Sequence, residues 1–304
     1  VGGYIAVEFF LILSGYYIMK SVMEKDWDLK SPGKSSLIFT YQKFRPLYFY
    51  IVASVMIQYF IVGIIKGYTV YGFFKNFVFS FFEALLLPMS GLYQTFYNLP
   101  LWYLSCLVLI LPLFIYCLFR FQEFTSTIFI AITPIVIYGY FSISFGELDK
   151  WRIWNGFYYV GILRVLAGLC LGCVCYQLLK IFKSIIFTNL GRILLITQIF
   201  LFMAILIIII KKAHSRIDFL LVVLIFSLIS CFLIEQSQLN LLLQKFNFLD
   251  ILGELSVPLY TSHWAIRLFI PFIMPNATYQ EMIPIYLFSS LALAIILLLL
   301  KHFM

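Results

Sequence analysis

Apolar residues run along this chain in long blocks, with polar residues gathered between them. The stretches from Ile193 to Ile210 and from Ile285 to Leu300 carry almost nothing polar. A helix that crosses the hydrocarbon layer needs about 20 consecutive, predominantly apolar residues. Blocks of that kind fall at 2–19, 46–65, 70–88, 101–119, 127–145, 157–179, 192–210, 217–234, 256–274 and 282–300. Together they predict an all-α, polytopic transmembrane helix bundle of nine or ten spans. The count turns on 70–88, where Lys75 and Glu83 interrupt an aromatic-rich stretch that reads either as a tilted span or as an interfacial helix.

Composition agrees with the pattern. Of 304 residues, 63% are hydrophobic and only 11% charged, with a mean hydropathy of +1.03. Soluble domains carry about 25% charged residues because their surface must be wetted. That shortage excludes a soluble enzyme, a secreted disulfide scaffold and a disordered tail. The net charge of +8 does not call for a nucleic-acid partner, since cytoplasmic loops of membrane proteins are enriched in Lys and Arg. The longest polar connection, 20–45, holds Lys20, Lys25, Lys30, Lys34, Lys43 and Arg45 and is expected in the cytoplasm. Trp151 and Trp154, beside Lys150 and Arg152, read as interfacial anchors, as does Trp27. The chain opens on Val1 and enters an apolar block at once, so a truncated N-terminus is expected for a single membrane domain over 1–304. All six cysteines lie inside apolar runs, where a free thiol behaves as a small hydrophobe. Cys170, Cys173 and Cys175 lack a second ligand pair, and no metal site is expected.

Ionisable residues inside a span cost several kcal/mol unless they pair or line a cavity. Glu8, Arg164, His263 and Arg267 stand out on that ground. Glu8 reads either as a carboxylate facing a cavity or as the structural partner of Arg164 or Arg267. Gly161, Gly168 and Gly172 fall near one helix face with Arg164, which points the guanidinium into the protein beside a close helix contact. There it either clamps an anionic group or forms an inter-helix ion pair. His263, in Ser256-Val-Pro258-Leu-Tyr260-Thr-Ser262-His263, is a base or a hydrogen-bonded structural residue; Arg267, one turn on, either discourages its protonation or reaches for the interface. His214 lies in the basic loop Lys211-Lys212-Ala-His214-Ser-Arg216 and reads as solvated. Asn276-Ala277-Thr278 matches a glycosylation sequon that is common by chance.

Five segments, in order, resemble the membrane-bound acyltransferase 3 family. Val7-Glu8-Phe9-Phe10 through Ser14-Gly15-Tyr16 is similar to the signature of its second core helix, with one extra residue before Leu13. Lys43-Phe44-Arg45-Pro46 resembles its basic cytoplasmic motif, with Lys43 where a second arginine is common. Leu99-Pro100-Leu101-Trp102-Tyr103-Leu104 resembles its tryptophan motif, and Arg164 through Gly172 its arginine–glycine helix. Leu252-Gly253-Glu254-Leu255-Ser256 through Tyr260 and His263 resembles its C-terminal motif.

The resemblance implies an integral membrane O-acyltransferase that moves an acyl group, acetyl in many members, from acyl-CoA to a hydroxyl of a cell-envelope sugar or polysaccharide. It implies no bound cofactor, acyl-CoA as co-substrate, an envelope glycan as acceptor and a multi-pass position in a bacterial inner membrane. A histidine base would take the proton of the acceptor hydroxyl. Ser14 or an arginine would stabilise the oxyanion, with Glu8 and Arg164 in the same machinery. Arg45 and Lys43 would pair with CoA phosphates unless they are ordinary positive-inside charge. Trp102 and Tyr103 either stack on the acceptor or anchor at the interface. The family's paired arginine and histidine, about ten residues apart on its first core helix, have no counterpart here and are expected upstream of Val1, which would leave His263 in a secondary role. Two other classes stay open from the residues: a transporter or flippase of an anionic or glycan-linked solute, and a catalytically inactive partner subunit.

Overall fold

The computed structural model describes residues 3–92, 96–182, 190–234, 238–243, 245–246 and 248–303. Val1 and Gly2, where the sequence begins its first span, lie outside the described residues. Among the described residues the secondary structure is helical apart from one isolated bridge between Trp154 and Tyr159. The helices are α1 (Ala6–Glu24), α2 (Pro32–Ile65), α3 (Val70–Ala84), α4 (Trp102–Arg120), α5 (Gln122–Phe124), α6 (Ile130–Ser144), α7 (Val160–Phe182), α8 (Leu190–Lys212), α9 (Asp218–Leu233), α10 (Gln238–Leu243), α11 (Phe248–Ile273) and α12 (Tyr279–His302). Every predicted span coincides with a helix.

Among the described residues, seven helical segments are long and apolar enough to cross a membrane. They lie on α1, α2, α4, the run Gln122–Ser144, α7, α8 and α12. The three remaining predicted spans fall on α3, α9 and α11. With 15 residues, α3 extends about 22 Å at about 1.5 Å per residue, short of the roughly 30 Å hydrocarbon layer. The 16 residues of α9 are apolar but also few. In contrast, α11 has the length, 26 residues, but Ser256, Tyr260, Thr261, Ser262, His263 and Arg267 dilute it.

The polar connection expected over 20–45 is much shorter. Helix α2 starts at Pro32 and continues through Pro46, so Lys34, Lys43 and Arg45 sit on a helix. Proline suits the first helical position, where its missing N–H is not needed and its φ is preset. Hydropathy marks where a chain enters lipid, whereas helical hydrogen bonding ignores that boundary.

The chain forms two compact units. The first comprises Val1–Phe39 and Ile110–Phe246; the second comprises Thr40–Leu109 and Asn247–Met304. In the first, α1 and α7 run parallel in intimate contact. A Cβ placed on Gly15 would lie 2.1 Å from the Leu169 carbonyl oxygen, and one on Gly172 would lie 2.1 Å from that of Ile12. Gly168 faces the Leu11 side chain, whose Cβ would be 2.6 Å away. Lipid supplies no hydrophobic drive between helices, so association rests on such backbone approach. Two cysteines of α7 belong to the packing of this unit: Cys173 Sγ donates to the Gly15 carbonyl at 3.5 Å, and Cys175 Sγ lies 3.2 Å from Ser230 Oγ.

In the second unit, α11 and α12 form an antiparallel hairpin. The Thr278 side chain caps α12: its Oγ1 accepts from Glu281 N–H at 3.4 Å while Glu281 Oε2 accepts from Thr278 N–H at 2.8 Å. At the far end Lys301 Nζ donates to the Pro46 carbonyl at 2.9 Å and lies 4.6 Å over the Tyr50 ring. Tyr59, Val62 and Tyr97 form a small core with Phe73, Phe79 and Leu268.

Candidate functional site

The first unit brings together two of the predicted residues. Glu8 and Arg164 are both fully buried, and Arg164 Nε donates to Glu8 Oε1 at 2.7 Å. The other Glu8 oxygen accepts from Tyr138 Oη at 2.8 Å. Arg164 Nη1 lies 3.3 Å from Asp149 Oδ1, and Nη2 donates to the Tyr4 carbonyl at 2.8 Å. Three sides of the guanidinium thus face protein acceptors, the arrangement of an inter-helix ion pair. Ser14 is half-buried on α1, two turns beyond Glu8 and next to the Gly15 contact.

From this pair a polar chain leads to the loops. Tyr4 Oη donates to Asp218 Oδ1 at 2.6 Å, and Asp218 Oδ2 accepts from Leu148 N–H at 3.1 Å. Tyr4 Oη also accepts from His214 N–H at 2.7 Å. His214 is exposed, as expected of the basic loop, but it is also partnered. Its ring lies 4.3 Å from that of Tyr4 at a tilt of 32°, and Nδ1 lies 3.1 Å from Glu147 Oε2. A left-handed turn, φ +59°, presents its N–H and ring to these partners. Glu147 also pairs with Lys150, whose hydrogen bond holds the Glu147 carboxyl below its ordinary range.

A pocket of about 220 Å³ lies where α1 gives way to the connection, lined by Met23, Lys25, Asp26, Trp27 and Gln122 among others. Trp27 is expected to anchor at the interface, yet it is half-buried, with its ring against Phe39 and Phe119 and Nε1 donating to the Ser21 carbonyl. Trp154 does remain exposed, as an anchor requires.

The second unit holds the other predicted residues. His263 is half-buried on α11, with Nδ1 2.8 Å from the Tyr260 carbonyl and 3.2 Å from that of Leu259. A carbonyl only accepts, so Nδ1 carries the proton and Nε2 keeps the lone pair. Among the described residues Nε2 makes no hydrogen bond. Arg267, one turn on, is exposed and stacks 4.4 Å over Trp264.

Tyr260 Oη donates to the Pro100 carbonyl, and its ring meets Tyr103 edge-on at 5.1 Å. Trp102 is only 6% exposed, too deep for an interfacial anchor. Lys43 is half-buried and Arg45 exposed, both on α2 just before the Pro46 carbonyl that Lys301 joins.

Sequence reasoning overlooked Tyr4, Tyr138, Asp149 and Asp218 in the first unit and Asn98 in the second. Asp218, fully buried at the start of an apolar helix, carried a usable signal: a carboxylate adjoining a span needs a partner. Glu83, left uncertain with its span, is also fully buried.

Long apolar helices with ionisable side chains held between them define a polytopic helical membrane protein. A model of the acyltransferase domain of the acyltransferase 3 family matches residues 1–300. The chain belongs to that family, and membrane acyl transfer is the activity the family supports. No curated protein and no solved structure matches the chain.

Proposed function

We propose that the protein is an O-acyltransferase of a bacterial inner membrane that moves an acetyl or similar acyl group from acyl-CoA to a hydroxyl of an envelope sugar or polysaccharide. The observation that carries this reading is the fixed tautomer of His263. With Nδ1–H committed to the helix backbone, Nε2 is the nitrogen able to accept a proton, and we therefore give His263 the role of base rather than the secondary one expected from the sequence. The acceptor hydroxyl gives its proton to Nε2 while its oxygen attacks the thioester carbonyl. The tetrahedral adduct then collapses, the C–S bond breaks and CoA leaves as its thiol, taking up the proton. Arg45 and Lys43 offer cations for the CoA phosphates, and Tyr103 lies on the aromatic side of the His263 turn for the acceptor.

General-base assistance contributes about 10²–10⁴-fold. The full chain in proteoliposomes, supplied with labelled acetyl-CoA and envelope glycan, is expected to release CoA thiol and label the glycan. His263→Gln should lower that rate by about 10²-fold or more. Glycan labelling that is unchanged in His263→Gln would overturn the assignment of the base. Solute flux without thioester consumption would overturn acyl transfer itself.

A further inference from the structure

Glu83 is a fully buried carboxylate one residue before the end of α3. It has no ion-pair partner among the described residues. Instead Oε2 accepts from Tyr97 N–H at 2.8 Å and Oε1 accepts from Asn98 N–H at 2.7 Å. Burying a carboxylate away from any cation costs several kcal/mol unless hydrogen bonds to the charged form offset it. Two main-chain donors, one on each oxygen, supply such bonds. In return, Glu83 pins the two residues that lead into the Leu99–Leu101 turn and α4.

Asn98 passes the constraint on. It is 1% exposed, and Nδ2 donates to the Thr261 carbonyl on α11 at 2.7 Å. Two residues further along the same segment, the Pro100 carbonyl accepts from Tyr260 Oη. Tyr260 and Thr261 are therefore held from outside their helix by one short segment that Glu83 fixes. The Tyr260 carbonyl is also the nearer acceptor of His263 Nδ1. Hydrogen bonds and the short backbone and side-chain segments between them thus connect Glu83, through Asn98 and Pro100, to the turn that orients the imidazole. Ser105 holds the other end of the α3–α4 connection separately, donating to the Leu86 carbonyl at 2.7 Å and accepting from Met89 N–H at 3.0 Å.

We infer that Glu83 and Asn98 are positioning residues that set the placement of the His263 imidazole through Tyr260 and Thr261. The role rests on His263 being the base proposed above, yet the placement itself is measurable without any turnover. Diethyl pyrocarbonate modifies the unprotonated imidazole nitrogen, and peptide mass spectrometry separates His263 from His214 and His302. The experiment uses the full chain in nanodiscs and compares Glu83→Gln, Asn98→Ala and Ser105→Ala with the parent, monitoring thermal unfolding of each in parallel.

One hydrogen bond of ordinary strength corresponds to about a 2- to 12-fold change in an equilibrium. Asn98→Ala should speed His263 modification by about that factor while His214 and His302 keep their rates. Glu83→Gln should do the same, because an amide retains one acceptor and sets an N–H against the second backbone donor. Ser105→Ala should leave His263 unchanged. Equal His263 rates in folded Asn98→Ala and parent overturn the inference, as does an equal acceleration by Ser105→Ala. If Glu83→Gln does not fold, Asn98→Ala decides alone, since it removes one side-chain amide and buries no new polar atom. In the acyl-transfer assay, both positioning variants should lower kcat more than they raise KM. A parent without acyl transfer sinks the proposed function but leaves the modification rates to judge the positioning.

Discussion

Deleting the Glu8–Arg164 pair one member at a time, and then together, measures whether it is a structural brace or a substrate clamp. Both side chains are fully buried, and their closest atoms are 2.7 Å apart. Arg164→Leu leaves the Glu8 carboxylate with Tyr138 Oη alone and strips the Tyr4 carbonyl of a donor. Removing one partner of a buried pair costs about 3–5 kcal/mol, since the other charge stays in low dielectric. Glu8→Leu should fall toward the lower end of that range, because Arg164 keeps Asp149 and the Tyr4 carbonyl. The double variant leaves no fully buried lone charge, since the Asp149 carboxylate it frees is 27% exposed, so its cost is mainly that of orphaned neutral groups at about 1–3 kcal/mol each. The double should therefore be more stable than the sum of the singles predicts by about 1–3 kcal/mol. Denaturant unfolding in mixed micelles, followed by tryptophan fluorescence, reads all four corners of the cycle. Additivity within about 0.5 kcal/mol would refute the pairing argument. A well-folded double variant that has lost all acyl transfer would refute the brace and return Arg164 to the substrate.

Other positions follow from the same geometry. Gly15→Ala and Gly172→Ala each drive a Cβ to within 2.1 Å of a backbone oxygen that cannot swing aside, so both should unfold the first unit or cost several kcal/mol, beyond the usual 1–3 kcal/mol of overpacking. Gly139→Ala on α6 meets nothing within 4 Å and should be neutral or stabilising by up to about 1 kcal/mol; a Gly15→Ala protein as stable as Gly139→Ala in the same unfolding assay would contradict the close approach. Glu147 titrates below its ordinary range because Lys150 donates to it. A lowered carboxyl adds stability above the unfolded-state pKa of about 4.3 and loses it as pH falls through the folded value. Melting temperatures of the parent and Glu147→Gln should converge as the medium is acidified from neutrality, and a gap that widens instead would reverse the sign. Because the pair is partly exposed, salt should shrink the gap as well.

The helices were legible and the pairings were not, and the bilayer accounts for both. Lipid forces backbone groups to be satisfied within each segment, so apolar length alone locates α1, α7, α8 and α12. The same lipid makes a charge conspicuous, which is why Glu8 and Arg164 could be singled out although 156 positions separate them. The identity of a partner depends on helix register, and nothing local distinguished Arg164 from Arg267 as the mate of Glu8. Polar partners outside the apolar blocks were harder still. Asn98 and His214 sit among other polar residues, where one more donor attracts no notice. The connection 20–45 misled for a different reason: Pro46 opens an apolar run, and proline commonly opens helices, yet here it lies inside one that began at Pro32.

The Glu8–Arg164 pair of the first unit and His263 of the second are held in opposite ways, and the contrast bears on where chemistry is to be sought. In the first, each Glu8 oxygen accepts a strong hydrogen bond, and Arg164 is held by a carboxylate, a second carboxylate and a carbonyl. A group so fully matched gains little by releasing its partners for a substrate. In the second, the imidazole of His263 is tied at one nitrogen only. A general base has to be oriented yet must keep a lone pair to offer, and half-commitment meets both needs. Glu83 and Asn98 fit that division, since neither reaches the imidazole and both act on the helix turn that carries it. Substitutions in the first unit should therefore change activity in step with stability, and those around His263 should separate the two.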